Sequence, residues 1–128
     1  MKEIEKLIHA AKQVSKFAYA PYSKFKVGAA LLTKSGKIYS GANVENASYG
    51  LTVCAERVAL FKAVSEGEKD FRSLAIYTKT KDFTMPCGAC RQVLMEFSPN
   101  LSIIIVNAAG KIKKFSLSKL LPYPFLKK

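Results

Sequence analysis

The sequence is poor in several residue types, and each shortage excludes something. It holds three cysteines and one histidine, so few side chains are available to bind a transition metal. An odd cysteine count with no export signal points to a reducing cytosol. The first residues, Met1-Lys2-Glu3-Ile4-Glu5-Lys6, mix acids and bases and lack the apolar core of a signal peptide. The longest apolar runs, Val27–Leu32 and Ile103–Val106, fall far short of the ~18 residues that a membrane span needs, so no membrane partner is expected. Acidic residues are scarce: 9 Asp and Glu against 21 Lys and Arg, a formal charge of +12. Such a charge invites a nucleic-acid reading. Yet the lysines are spread along the chain, the densest groups (Lys111, Lys113, Lys114 and Lys127, Lys128) have no interleaved aromatics, and only three residues are arginine. A solvated lysine coat is the expectation, with no nucleic-acid partner.

What is present is a chain of 128 residues, 49% hydrophobic, enough for one domain over residues 1–128 with a core that needs no staples. Lys2–Ala18 reads as an amphipathic helix, with Ile4, Leu7, Ile8, Ala11, Val14 and Ala18 as its stripe and His9 outside it. Pro21 stops that helix. Phe25–Lys34 reads as a strand, Ser35-Gly36 as a turn and Ile38–Ala42 as the hairpin partner. A polar loop follows, Asn43 to Gly50. In it an amide, Asn43, and a carboxylate, Glu45, alternate and suit the binding of vicinal hydroxyls. Thr52 is expected to cap a helix running to about Ser65. That helix is apolar round most of its circumference, so it should be buried nearly all round, with Glu56 and Arg57 in an apolar setting. Phe71–Thr78 is a strand, Cys87–Phe97 a helix opened by Pro86, and Leu101–Val106 a doubly buried strand. The helix between them makes a parallel crossover, and the short Asn107–Gly110 turn makes the last strand, Lys111–Ser116, antiparallel. Ser118–Leu121 is a helical turn. The predicted fold is α/β: three layers, α/β/α, with a five-stranded mixed sheet.

All three cysteines fall in two short stretches, Cys54-Ala55-Glu56 and Pro86-Cys87-Gly88-Ala89-Cys90. Cys87 and Cys90 share a helix face. With Cys54 they form a three-thiolate zinc set, and no fourth thiolate exists to close it. Three ligands and an open position are the catalytic pattern. Glu56, two residues after Cys54, stands beside the metal rather than on it, where a proton shuttle belongs. Alone, C-x-x-C also fits a redox pair or a structural knuckle. Three thiolates on Zn²⁺ leave net negative charge. Arg57, three residues from Cys54, and Arg91, four from Cys87, are spaced to reach the sulfurs and withdraw it.

Nearly the whole chain resembles cytidine deaminases of the small, homotetrameric, all-cysteine zinc type. The resemblance rests on Phe25-Lys26-Val27-Gly28-Ala29-Ala30-Leu31, Asn43-Val44-Glu45-Asn46, Cys54-Ala55-Glu56-Arg57, Pro86-Cys87-Gly88-Ala89-Cys90-Arg91-Gln92 and Leu120-Leu121-Pro122. The order C-x-E, then P-C-x-x-C, is that of zinc deaminases generally. The resemblance implies one Zn²⁺ per subunit on Cys54, Cys87 and Cys90, with Glu56 as the acid–base. It implies ribose binding by Asn43 and Glu45, Phe25 in the pocket for the base, and Ala55 as a further substrate-binding residue. Ala47, Tyr49 and Phe125 would reach a neighbouring subunit's site. The activity implied is hydrolysis of cytidine and deoxycytidine to uridine and deoxyuridine plus ammonia, in cytoplasmic pyrimidine salvage. Two rivals remain at this point: a deaminase of another cytosine nucleoside, of the antibiotic type, and a structural-zinc module without activity. The latter predicts a fourth protein ligand.

Overall fold

Strand β1 (Val27–Thr33) is buried at every position, and the reason is its place in the sheet. It runs between β2 (Ile38–Ala42) and β3 (Phe71–Thr78), antiparallel to both. The computed structural model, which describes residues 2–127, continues the sheet through β4 (Ser102–Val106) to β5 (Ile112–Ser116), in the order β2-β1-β3-β4-β5. Among the described residues, β3 and β4 are the one parallel pair of neighbouring strands. The helix joining them is α3 (Gly88–Met95), the crossover expected from the spacing. β5 returns antiparallel to β4, as the short turn before it requires.

Period-two alternation sorts the strand side chains into two cores. Ala29, Leu31, Leu74, Ile76, Ile103 and Ile105 face α2 (Ala55–Ser65) and α3. Ala30, Leu32, Ala75, Tyr77, Ile104 and Val106 face α1 (Glu3–Ser15), which seats Leu7 and Ala11 on them. The three layers are therefore as expected, with both cysteine-bearing helices on one face. Glycine sets how closely the layers approach. A Cβ on Gly28 would lie 1.9 Å from the carbonyl oxygen of Ala11, and one on Gly41 2.6 Å from the amide nitrogen of Ala59.

Three expectations need correction. Helix α1 ends at Ser15 rather than Ala18, and buried Ser15 joins its inner face by donating its hydroxyl to the Lys12 carbonyl at 2.7 Å. Thr52 does not cap α2. Residues Tyr49–Leu51 form a 3-10 turn and Val53 pairs with Val44 as an extended bridge, so the helix cannot start before Ala55 and Cys54 takes the N-cap position. The Thr52 hydroxyl instead accepts from the Asn46 amide at 3.1 Å. Lastly, α2 is not buried all round in the single chain: Ala55, Glu56, Ala59, Leu60 and Ala63 are buried, while Phe61 is 49% exposed.

Candidate functional site

Both cysteine stretches end in helix N-termini that open at the same end of the sheet. Cys54 is the N-cap of α2, and the Val44–Val53 bridge fixes its approach through reciprocal 3.0 Å bonds. Cys87 is the N-cap of α3, where its sulfur accepts from the Cys90 amide at 3.4 Å. The three sulfurs lie within 4.8 Å of one another, with Cys54 to Cys87 at 3.8 Å and Cys87 to Cys90 at 3.3 Å. These are not disulfide distances, and all three thiols are free. Zn–S bonds of about 2.3 Å in tetrahedral geometry put sulfurs roughly 3.8 Å apart, so this donor set fits one zinc ion. His9 is exposed on α1, across the sheet, and no described histidine or carboxylate joins the cluster.

The charge environment favours a thiolate at Cys54. Cys54 is held down to about 5, first by the hydrogen bond with Cys90 and then, against burial, by the Arg57 guanidinium and Cys87. The same contact with Cys54, and burial, drive Cys90 up. Arg57 donates from Nη2 to the Cys54 sulfur at 3.7 Å, as its spacing predicts, while its buried Nε has no protein partner. Arg91 departs from its expected contact. Its Nε donates to the Pro86 carbonyl at 2.8 Å and Nη1 to the Leu120 carbonyl at 2.9 Å, so these donors brace backbone rather than sulfur. The last helical turn, Leu117–Leu120, lies over α3 and offers the Leu120 carbonyl, which helix spacing alone does not reveal.

Beside the thiols lies a cavity of about 250 Å³. Cys54, Ala55, Glu56 and Cys87 form one wall, and Phe25, Asn43 and Glu45 form another. Glu56 is 5% exposed. Burial pushes its carboxyl up to about 7, opposed by the helix backbone and helped by the nearby Cys54 thiolate. Asn43 is buried and tied to backbone on both sides of its amide: Oδ1 accepts from the Val27 amide and Nδ2 donates to the Phe25 carbonyl, each at 2.9 Å. Glu45 accepts from the amides of Tyr22 at 3.0 Å and Ser23 at 3.1 Å, and from the Ser23 hydroxyl. The hydroxyl contact is the main cause of its lowered pKa.

Ser23, Thr84 and Met85 also line the cavity and were not singled out from the sequence. Their only sequence signal is position, next to Pro21 and Pro86. Ala47, Tyr49 and Phe125 do not line this cavity: all three are exposed, Tyr49 at 79% and Phe125 at 76%. A larger concavity of about 320 Å³ on the α1 side is lined by Lys12, Lys16, Lys26 and Lys79 with Ser15 and Tyr77. It holds no thiol or carboxylate, so size does not mark the chemistry here.

Residues 1–106 match the family model described as the cytidine and deoxycytidylate deaminase zinc-binding region. This chain belongs to that family. A cytidine deaminase of Halalkalibacterium halodurans is 52% identical over 120 residues, covering 93% of this chain and 91% of its own. One from Sporosarcina psychrophila is 48% identical over 126 residues, covering 98% and 93%. The crystal structure of a cytidine deaminase from Burkholderia pseudomallei superposes with a TM-score of 0.91 at 49% identity, covering 94% of this chain and 98% of that one. The family's zinc-binding region thus includes all three clustered thiols.

Proposed function

We propose that this chain is a zinc-dependent cytidine deaminase, converting cytidine and deoxycytidine with water to uridine and deoxyuridine plus ammonia. The observation that carries the reading is the three-thiol cluster with the buried Glu56 carboxyl beside it on a cavity wall, in a chain of this family. Cys54, Cys87 and Cys90 hold the ion. Bound zinc supplies Lewis acidity, which lowers the pKa of water towards ~7.

The chain's own residues do the rest. Burial raises the Glu56 carboxyl above its ordinary value, which suits a group that must both take and give a proton near neutral pH. Glu56 takes one proton from the attacking water and delivers it to N3 of the base, then takes the second from the oxygen added at C4 and passes it to the departing amino group, so that ammonia leaves neutral and the carboxylate is restored. Asn43 has one amide hydrogen and one lone pair beyond its backbone bonds, and Glu45 keeps carboxylate acceptor capacity beyond its three bonds. Both are orientated before a ribose arrives, which lowers the entropy lost on binding. Phe25 and Ala55 bound the space for the planar base. Arg57 spreads positive charge onto Cys54 and offsets the excess of three thiolates.

The whole chain, residues 1–128, serves as one catalytic domain in a homotetramer, with Ala47, Tyr49 and Phe125 reaching a neighbour's cavity. Cytoplasmic pyrimidine salvage is the setting this activity fits. No helix among the described residues is long and apolar enough to cross a membrane. The test is direct. Purified zinc-loaded protein should consume cytidine absorbance with stoichiometric ammonia release. Glu56→Gln should keep the zinc and lose at least ~10²–10⁴ in kcat. Zinc-loaded protein that leaves cytidine unchanged would sink the reading.

A further inference from the structure

The C-terminal tail is tied to the helix that carries two of the thiols. From α3, Gln92 donates its Nε2 to the Phe125 carbonyl at 2.7 Å, and its Oε1 accepts from the Phe125 amide at 3.1 Å. One residue earlier, Arg91 donates to the Leu120 carbonyl at 2.9 Å. These ties bracket Leu121–Pro124, a stretch with no helix or strand, in which Pro122 and Pro124 have no N–H to give. Phe125 is 76% exposed, so packing within the chain does not hold its side chain.

A carboxamide bonded to both the N–H and the C=O of one residue acts as a strand edge would. It fixes that residue's position and the direction of its Cα–Cβ bond. Gln92 follows Cys90 by two residues on the same helix. One helical turn therefore sets the register between the metal cluster and the tail. A long polar side chain loses substantial rotamer freedom when held this way, and Gln92 is committed to a residue that is itself exposed.

We infer that Gln92 is a positioning residue for the deamination site: its two-bond clamp presents the Phe125 ring to the cavity of a neighbouring subunit, as an aromatic wall against the planar base. The inference rests on the proposed shared site. Gln92 itself touches no substrate and acts through Phe125.

Gln92→Ala removes both bonds. Gln92→Glu keeps the size and the acceptor for the Phe125 amide but sets a carboxylate against the Phe125 carbonyl. In zinc-loaded protein both variants should exchange the Phe125 amide hydrogen faster and retain one zinc per chain. KM for cytidine should rise about three- to tenfold, the scale of one or two lost hydrogen bonds, with kcat within about twofold. Phe125→Ala should raise KM similarly, and adding Gln92→Ala to it should change KM no further. Unchanged exchange at Phe125 in both variants would overturn the clamp. Faster exchange with normal KM in the Gln92 variants, while Phe125→Ala raises KM, would overturn the positioning role. Faster exchange with normal KM in all three would show that Phe125 is not at a substrate site, and the shared-site reading would fail first. Zinc loss from both Gln92 variants would make the residue a support of the metal centre and overturn the proposal.

Discussion

Glu56 has the most consequential environment of any side chain here. Its carboxyl has an ordinary value of 4.5 and is pushed up to about 7, with burial as the main cause. The sign of the linkage follows. The folded chain binds more protons than the unfolded chain between those two values, so this contribution to stability is full below about pH 4.5 and is lost as pH rises through about 7. Gln is neutral at every pH and nearly isosteric. Zinc-free Glu56→Gln protein should therefore melt above the zinc-free parent at about pH 8, and the gap should close towards pH 5. Thermal melts followed by circular dichroism at the two pH values give the answer, and a gap independent of pH would remove burial as the cause. Asn43 makes the opposite use of a polar side chain. Its amide is saturated enough by Phe25 and Val27 to be buried without strain, and that same pairing aims it at the cavity.

At the scale of elements, two close approaches hold the layers and, through them, the site. Helix α1 lies against β1 where Gly28 has no Cβ, and β1 carries Val27, which lines the cavity beside the thiols on the other face. Gly28→Ala would drive a methyl group to within 1.9 Å of the Ala11 carbonyl, a backbone atom that no rotamer change can move. The helix must lift, at a cost of ~1–3 kcal/mol or more. A clear fall in denaturation midpoint is expected, measured by urea titration, whereas Gly36→Ala offers a control of another kind: nothing lies near its Cβ, and only its positive φ of 93° resists substitution. A Gly28→Ala chain as stable as the parent would mean that α1 does not sit this close in solution. The metal-bearing helices are placed differently, by the sheet rather than by each other. α2 leans on β1 and β2 through Ala59 and Gly41, and α3 arrives as a crossover. Their N-termini meet because both connections leave the same end of the sheet.

The whole molecule leaves more apolar surface in water than its proposed function explains in one chain. Tyr49 is 79% exposed, Leu51 67%, Phe61 49% and Val44 48%, and they lie on α2 or on the loop leading into it. Such surface is characteristic of an interface, and a second copy of the same chain is the simplest cover. The active species is thus expected to have several times the 14.1 kDa chain mass by light scattering. Tyr49→Ala should raise KM for cytidine with zinc retained. Mixed with inactive Glu56→Ala protein under conditions of subunit exchange, it should regain part of the lost activity, because a hybrid site takes Glu56 from one chain and Tyr49 from the other. A fully active species of one chain mass would refute both the assembly and the shared site.

Much of this was legible in the residues themselves. Strand alternation, the parallel crossover and the antiparallel end pair follow from period-two burial and connection length, which are local properties of the chain. Three cysteines with no spare ligand, and a glutamate two places from one of them, define the metal chemistry because coordination depends on donor type and spacing. Other features needed the fold. Thr52 lost the cap because Val53 pairs with Val44, a contact that exists only once the loop has closed. Arg91 has helix spacing to Cys87, but the last helical turn delivers the Leu120 carbonyl to it from 29 residues away. Gln92 reads as an ordinary helix-surface residue until Phe125, 33 residues on, is laid across it. A sequence determines which groups can bond. Among several partners within reach of a flexible side chain, the one chosen depends on which distant segment the sheet and its connections bring alongside.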